Sequence, residues 1–237
     1  VEGLGPDGVA ILPASETKLV EWAARDGVVL RTFGANGDVR IEDLQLDDLA
    51  RPSFTLEADG ERAALTLSSM AGAHQAHNAA AAAAAALSLG RALPDVAAGL
   101  ELATASAWRM EIIPGRYTVV NDAYNANPAS MAAALHAVAA IPGRHVAVLG
   151  LMAELGDTAP TAHRAIGRLA RELGYAALVI VGEDPGIAAG AGDIARPVPD
   201  AATAGTVVTE LLDDDDVVLV KASRSVGLEA LAAELAS

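Results

Sequence analysis

The sequence contains no cysteine among its 237 residues. This absence excludes disulfide bonds, thiol nucleophiles and zinc sites built on cysteine. Basic residues are also scarce, since 16 Lys and Arg stand against 31 Asp and Glu and give a formal net charge of -15. That charge repels a phosphate backbone, and no basic stripe with interleaved aromatic residues is present. We therefore expect no nucleic-acid partner.

Long apolar runs are missing as well. No stretch approaches the roughly 20 apolar residues needed to span a bilayer, and no charged leader precedes an apolar signal core. The nearest candidate is the alanine tract at 79–86, which favours a packed helix because alanine is a strong helix former and only weakly hydrophobic. We expect a soluble, monomeric protein of the cytoplasm without membrane insertion.

Strand-like and helix-like segments alternate along the chain, which indicates an α/β fold. In the first part of the chain, the pattern predicts strands at 8–12, 28–33, 54–57 and 63–67, followed by helices at 74–89 and 94–103. From about residue 107, predicted strands near 117–121, 145–149, 177–181 and 216–220 alternate with helices near 128–140, 161–173, 201–212 and 226–236. Such alternation predicts a Rossmann-like, mostly parallel sheet with helices on both faces. We expect two domains, at 1–106 and 107–237.

Polar residues concentrate between a predicted strand and the next helix, in the stretch Asp122-Ala-Tyr-Asn-Ala-Asn-Pro128. The carboxyl ends of strands are where α/β enzymes bind ligands. Asn127 suits a helix N-cap and Pro128 the first helical position, so the free N–H groups of that helix would favour an anion such as phosphate. Asp122 beside amides suits a ribose hydroxyl or a metal. A capped turn that satisfies only its own backbone explains the same pattern.

The segment Asn121–Met131 resembles the signature of the Mur ligase family, in the form found in the member that adds D-alanyl-D-alanine to the peptidoglycan precursor. Four other segments also resemble the family and occur in its order along the chain: Gly72–Asn78, Trp108–Glu111, Val148–Gly156 with His163-Arg164, and Val218–Arg224. The chain departs from the family pattern at Leu151, where Asp is usual, and at Ala222, where Gly is usual. The resemblance implies the end of a central nucleotide-binding domain followed by the last domain.

The same resemblance implies roles in nucleotide binding. Asn78 would contact adenine with His74 close by, and ATP is the expected nucleotide. Arg109 and Asp122 would hold the ATP ribose. A helix cap for the first pair and an ordinary ion pair for the second are the structural alternatives.

Six further residues are implied in catalysis or substrate binding. Tyr124, Asn125 and Asn127 resemble catalytic residues placed near the γ-phosphate and the incoming dipeptide. Lys221, Ser223 and Arg224 would bind substrate at the end of a neighbouring strand. Plain surface positions are the alternative for the second group.

The phosphate-binding loop of an ATP-dependent ligase is absent. No Gly-x-x-x-x-Gly-Lys-Ser/Thr segment occurs, and the only lysines, Lys18 and Lys221, stand outside any such pattern. The family's carbamylated, magnesium-bridging lysine and its UDP-sugar domain have no match either. We therefore expect the carboxyl-terminal piece of a longer enzyme, inactive alone, with Mg²⁺ held by the missing part and no metal ligands of its own.

The implied reaction has two steps. ATP phosphorylates the terminal carboxylate of UDP-N-acetylmuramoyl-tripeptide, and the amine of D-alanyl-D-alanine attacks the acyl phosphate to form an amide. Two alternatives stay open: a sibling ligase that adds a different amino acid, and a non-catalytic α/β module that binds a nucleotide or a partner.

Overall fold

The computed structural model describes residues 4–5, 8–25, 28–104 and 106–236. The chain divides into two compact units. The first unit comprises residues 1–47, 51–68 and 73–104, and the second comprises residues 48–50, 69–72 and 105–237.

The first unit is built on a five-stranded sheet in the order β1-β2-β3-β4-β5. Its strands are β1 Val9–Pro13, β2 Val29–Phe33, β3 Val39–Leu46, β4 Pro52–Ala58 and β5 Glu61–Thr66, and its helices are α1 Thr17–Arg25, α2 His74–Ser88 and α3 Leu93–Glu101. The first three strands run parallel, and β3, β4 and β5 pair antiparallel. Alternate residues of β4, including Phe54 and Leu56, are buried, and α2 contributes five buried alanines. Small side chains let helix and sheet approach closely.

The second unit contains a six-stranded sheet in the order β10-β9-β8-β11-β7-β6. Its strands are β6 Glu111–Ile113, β7 Thr118–Asn121, β8 His145–Gly150, β9 Ala177–Val181, β10 Ala195–Val198 and β11 Val217–Lys221. Its helices are α4 Pro128–Ala139, α5 Ala159–Glu172, α6 Ile187–Ala191, α7 Ala201–Leu211 and α8 Glu229–Leu235. All neighbouring strands pair in parallel except β6, which lies antiparallel to β7 at the edge.

Helices cover both faces of this sheet, as the alternation in the sequence predicts. Along β11, Val217 and Leu219 join the core with α4, α5 and α6, whereas Val218 and Val220 join the core with α7 and α8. This period of two is the ordinary alternation of side chains along a strand. The mostly parallel, two-sided fold class is confirmed.

Five elements were not predicted: α1, β3, β6, α6 and β10. The helix α4 begins as expected, because Asn127 accepts the N–H of Ser130 at 2.8 Å while the Ser130 hydroxyl accepts the N–H of Asn127 at 3.0 Å. Pro128 occupies the first helical position, where no N–H is needed.

Candidate functional site

The strands β7, β11 and β8 are neighbours in the second sheet, so their carboxyl ends lie next to one another. We call this side of the sheet, where these strands end, the carboxyl edge. The helix that follows β7 packs on one face, and the helix that follows β11 packs on the other. Adjacent strands whose connections leave in opposite directions open a crevice, and α/β proteins bind ligands there. The polar loop after β7 therefore lies at the place where this fold offers a site.

A buried ion pair joins the ends of β7 and β11. The Nζ of Lys221 lies 2.6 Å from Oδ2 of Asp122, and the two side chains are 2% and 11% exposed. The same Nζ donates to the carbonyl oxygen of Asn125 at 2.8 Å. Lys221 is thus held inside the second unit, where it fixes the loop after β7.

Ser223 links the three loops of this edge and is also buried. Its hydroxyl accepts the N–H of Ala153 at 2.9 Å and donates to the carbonyl oxygen of Ala126 at 3.4 Å. Its own N–H donates to the carbonyl oxygen of Leu151 at 3.0 Å. The arrangement ties together the loops that follow β7, β8 and β11.

The backbone on either side of Arg109 adopts an unfavourable conformation. Trp108 has φ of 61° and Met110 has φ of 51°, in the left-handed region that residues other than glycine rarely occupy. Two hydrogen bonds hold this turn: the N–H of Tyr124 donates to the carbonyl of Trp108 at 3.1 Å, and the N–H of Met110 donates to Oδ1 of Asp122 at 3.1 Å. Both carboxylate oxygens of Asp122 therefore have partners within the protein.

Two arginines stand against aromatic rings at this edge. The guanidinium of Arg109 lies 4.1 Å from the ring centroid of Tyr124. The guanidinium of Arg224 lies 5.4 Å from the same centroid and 5.5 Å from that of Trp108. Both arginines are exposed, so their N–H groups are open to a ligand.

The two asparagines of the loop differ in their bonding. Asn127 caps α4, which is the local explanation that the sequence left open. Asn125 accepts the N–H of Ala126 at 2.8 Å through its side-chain oxygen. Both side chains are exposed, so their remaining donors and acceptors face solvent.

The two residues predicted to bind adenine, His74 and Asn78, belong to the first unit and lie in the first turns of α2. Asn78 is exposed, and its amide donates to the side-chain oxygen of Gln75 at 3.0 Å. His74 is half-buried at the first helical position. Neither residue caps the helix, because its N-cap is Ala73 without a side-chain hydrogen bond.

His163 was not among the predicted site residues, although its segment was part of the resemblance. Its ring is fully buried in α5, and its Nε2 accepts the N–H of Met152 at 2.9 Å. Its Nδ1 lies 2.7 Å from the carbonyl oxygen of Ala159, so Nδ1 carries the proton and the ring is neutral. His163 thereby fixes the start of the loop after β8.

Four consecutive aspartates, Asp213–Asp216, precede β11. They lie at the amino ends of the strands, away from the carboxyl edge. Arg144 pairs with Asp213 and Asp216, and Arg116 pairs with Asp214. Within the described ranges, no three His, Asp or Glu side chains converge in a way that could hold a metal ion. Nor does any described helix have the length and apolar character that crossing a bilayer requires.

Comparison with known proteins gives one consistent result. The family described as "Mur ligase, glutamate ligase domain" matches residues 108–224. The UDP-N-acetylmuramoyl-tripeptide--D-alanyl-D-alanine ligase of Mycobacterium tuberculosis is 41% identical over 256 aligned residues, which cover 95% of this chain and 50% of that protein. The crystal structure of MurF from Acinetobacter baumannii superposes with a TM-score of 0.90 at 31% identity, covering 99% of this chain and 53% of that one.

The chain belongs to the Mur ligase family. The Mycobacterium leprae ligase of the same name is 42% identical over 223 residues, covering 82% of this chain and 43% of the relative. The chain thus spans about half the length of the curated relatives it matches.

The two departures from the usual Mur ligase pattern lie side by side in the structure. Leu151 follows β8 and offers its carbonyl to Ser223, as described above. Ala222 follows β11, and its methyl group would lie 2.8 Å from a Cβ added to Gly150. Ala222 thus fills space against a glycine of the neighbouring strand.

Proposed function

We propose that the protein to which this chain belongs is an ATP-dependent ligase that adds D-alanyl-D-alanine to UDP-N-acetylmuramoyl-tripeptide in the cytoplasm. Its named relatives in Mycobacterium carry that name. One observation carries the proposal: the segment that resembles the dipeptide-adding signature stands at the ligand-binding edge, between the buried Lys221 and the exposed Arg109. Residues 107–237 would be the last domain of the family, and residues 1–106 would belong to the central domain.

The proposed reaction is the phosphorylation of the tripeptide carboxylate by ATP, followed by attack of the dipeptide amine on the acyl phosphate. Bound Mg²⁺ would neutralise charge on the migrating phosphoryl group. We assign the metal ligands and the phosphate-binding loop to residues outside this chain, because the chain has only Lys18 and Lys221 and neither stands in such a loop. The chain alone is then expected to be inactive.

Within this scheme the exposed residues face the substrates. The Asn125 and Asn127 amides offer donors and acceptors, which suit a zwitterionic dipeptide. Arg109 and Arg224 offer guanidinium donors, which suit the oxygens of a phosphate or carboxylate. Tyr124 stacks with both arginines.

The buried residues would act by fixing loops. Lys221 and Ser223 are almost removed from solvent, so their contribution to substrate binding would pass through the loops that they hold. Asp122 would contact the ribose while its carboxylate also accepts the N–H of Met110. In the first unit, His74 and Asn78 would contact adenine.

Phosphate release from ATP tests the proposal. The chain would be assayed alone and then joined to the amino-terminal half of the Mycobacterium tuberculosis relative, with UDP-N-acetylmuramoyl-tripeptide and D-alanyl-D-alanine present. We expect release only from the joined protein. Release by the chain alone contradicts its assignment as an incomplete site, and silence of a folded joined protein contradicts the ligase function and favours a non-catalytic module.

A matched pair of variants sharpens this test. Asn125→Ala in the joined protein is expected to lower kcat/KM for the dipeptide by roughly tenfold or more, because an amide that contacts substrate is lost. Asn36→Ala removes another exposed asparagine, from a turn of the first unit, and should leave the rate unchanged. Equal rates for the two variants would remove Asn125 from the site.

A further inference from the structure

The loop between β3 and β4, at residues 47–51, is closed on itself. The carboxylate of Asp47 accepts the N–H of Arg51 at 2.9 Å and its Nε–H at 2.7 Å, and the N–H of Asp47 donates to the carbonyl oxygen of Arg51 at 3.1 Å. Within this closed loop, Ala50 is fully buried and has φ of 55°, in the left-handed region that alanine rarely occupies. The loop thus holds one alanine in a conformation that costs free energy.

Ala50 is bonded to the segment that leads into α2. Its carbonyl oxygen accepts the N–H of Gly72 at 2.7 Å. Gly72 has φ of 100°, which glycine adopts readily because it has no Cβ. Two residues later, His74 begins α2. The strained alanine and the glycine together set the place from which this helix starts.

The helix α2 has no side-chain device of its own to fix its start. Its N-cap is Ala73, which makes no side-chain hydrogen bond, and its first turn contains no acidic residue. Ser, Thr, Asp or Asn at the N-cap ordinarily holds the first free N–H groups of a helix. Because α2 lacks such a residue, the bond from Gly72 to Ala50 is a fixed point directly before its first turn.

Packing along α2 also leaves its position along its own axis weakly specified. The buried residues of the helix are all alanine, at positions 76, 79, 80, 83 and 84. A shift of four residues, about 6 Å along the axis, would place alanine on alanine at three of these positions. Helices move past their neighbours by about one turn where two arrangements pack similarly. The buried face therefore distinguishes poorly between the two arrangements in the first part of α2.

We propose that the closed loop fixes the axial position of α2, and that Ala50 is thereby a positioning residue for His74 and Asn78. This role rests on the proposed function, in which those two residues contact adenine. A slip of one turn would carry both side chains more than about 5 Å from the base, beyond the reach of a hydrogen bond. Ala50 would act through Gly72 and not by contact with the nucleotide.

Amide hydrogen exchange, followed by NMR in the 237-residue chain, tests the loop without requiring ligase activity. Asp47→Ala opens the loop and should speed exchange of the Gly72 and Asn78 amides by about tenfold or more, because local opening becomes easier. Exchange at Leu87, near the other end of α2, should stay within about twofold, which shows that the helix remains folded.

Three further variants separate the loop from other effects. Gly72→Ala strains the donor and should act like Asp47→Ala, because its φ of 100° disfavours alanine. Asp47→Asn keeps an oxygen that can accept the Arg51 N–H, so exchange should return to within about threefold of the parent. Asp59→Ala is the matched control, since it removes an aspartate with positive φ that pairs with Arg31 in the next hairpin, and it should change nothing.

Nucleotide preference in the joined protein tests the positioning role. ITP has the ribose and phosphates of ATP but an oxygen in place of the adenine amino group. The parent should prefer ATP, and Asp47→Ala and Gly72→Ala should lower the ratio of kcat/KM for ATP to that for ITP by about fivefold or more, because the groups that read the base are displaced. A general structural defect would lower the values for both nucleotides alike and leave the ratio unchanged.

Each outcome supports or overturns one step. Faster exchange together with a lower ATP preference supports the proposal. Exchange at Gly72 that keeps the parent rate in Asp47→Ala overturns the role of the loop, as does Asp47→Asn behaving like Asp47→Ala. Faster exchange with an unchanged ATP preference, or a parent that does not prefer ATP, overturns the positioning of adenine contacts. A folded but inactive joined protein contradicts the proposed function, whereas the exchange rates still decide whether the loop holds α2.

Discussion

Replacing Lys221 by methionine isolates the contribution of the buried ion pair to the second unit. The substitution keeps much of the side-chain volume but removes the charge. It leaves the Asp122 carboxylate without its cation, and the carbonyl oxygen of Asn125 without the donor at 2.8 Å. The N–H of Met110 still donates to Asp122, so part of the compensation survives.

The expected loss of stability follows from this geometry. Removing one partner of a buried ion pair costs about 3–5 kcal/mol, because the other charge stays buried and uncompensated. The retained N–H and the 11% exposure of Asp122 place the value near the lower end. Urea unfolding followed by Trp108 fluorescence, in a Trp22→Phe background, would report on the second unit. With an m value near 2 kcal/mol/M, the midpoint should fall by roughly 1.5 M.

Two companion variants test the physical reason. Lys221→Met combined with Asp122→Asn removes both charges, and the asparagine oxygen can still accept the Met110 N–H. We expect the double variant to recover at least about 1 kcal/mol relative to Lys221→Met alone. Lys18→Met alters the only other lysine, which is exposed, and should stay within about 0.5 kcal/mol of the parent. A double variant less stable than Lys221→Met, or a loss at Lys221 no larger than at Lys18, would refute the reasoning.

Gly190→Ala should destabilise the second unit by about 3 kcal/mol or more, because the new methyl carbon would lie 2.0 Å from a backbone carbonyl oxygen of α5. Its control is Gly99→Ala in α3, where nothing lies within 4 Å and alanine should be neutral or stabilising in thermal melts; equal melting temperatures would contradict the packing. Gly150→Ala should cost about 1–3 kcal/mol through its clash with the Ala222 methyl, and adding Ala222→Gly should restore much of it. No restoration in urea unfolding would show that this contact is not the cause. Asn127→Ala should cost about 1 kcal/mol through loss of the α4 cap, and an unchanged unfolding midpoint would count against the cap.

Elements with strong local signals could be predicted from the sequence. The start of α4 is encoded by Asn127 and Pro128, whose effects need no distant partner. The valine-rich cores of β8, β9 and β11 are buried on both faces and read as continuous apolar runs.

The unpredicted strands depend on distant partners instead. The strand β3 carries several charged residues, and its pairing is supported across strands, where Arg40 pairs with Glu57 and Arg62 pairs with Glu42. The strand β10 contains Pro197, which fits only because this strand lies at the edge of the sheet. Strand propensity is weak where neighbours decide the outcome.

The position of the candidate site followed from the sequence, but its internal bonding did not. A lysine at the end of a strand is ordinarily exposed, and the burial of Lys221 against Asp122 depends on β11 inserting between β8 and β7. The stacking of Arg109 and Arg224 on Tyr124 brings together three separate loops for the same reason. Strand order is a property of the whole sheet, so no local pattern encodes these contacts.

The most direct test of the central claim is the identity of the product. The chain would be joined to the amino-terminal half of the Mycobacterium tuberculosis relative and incubated with ATP, Mg²⁺, UDP-N-acetylmuramoyl-tripeptide and D-alanyl-D-alanine, and the products weighed by mass spectrometry. We predict a UDP-sugar peptide heavier by one D-alanyl-D-alanine unit, formed only when both halves are present. Phosphate release without that product, or preferential addition of a different amino acid, would contradict it.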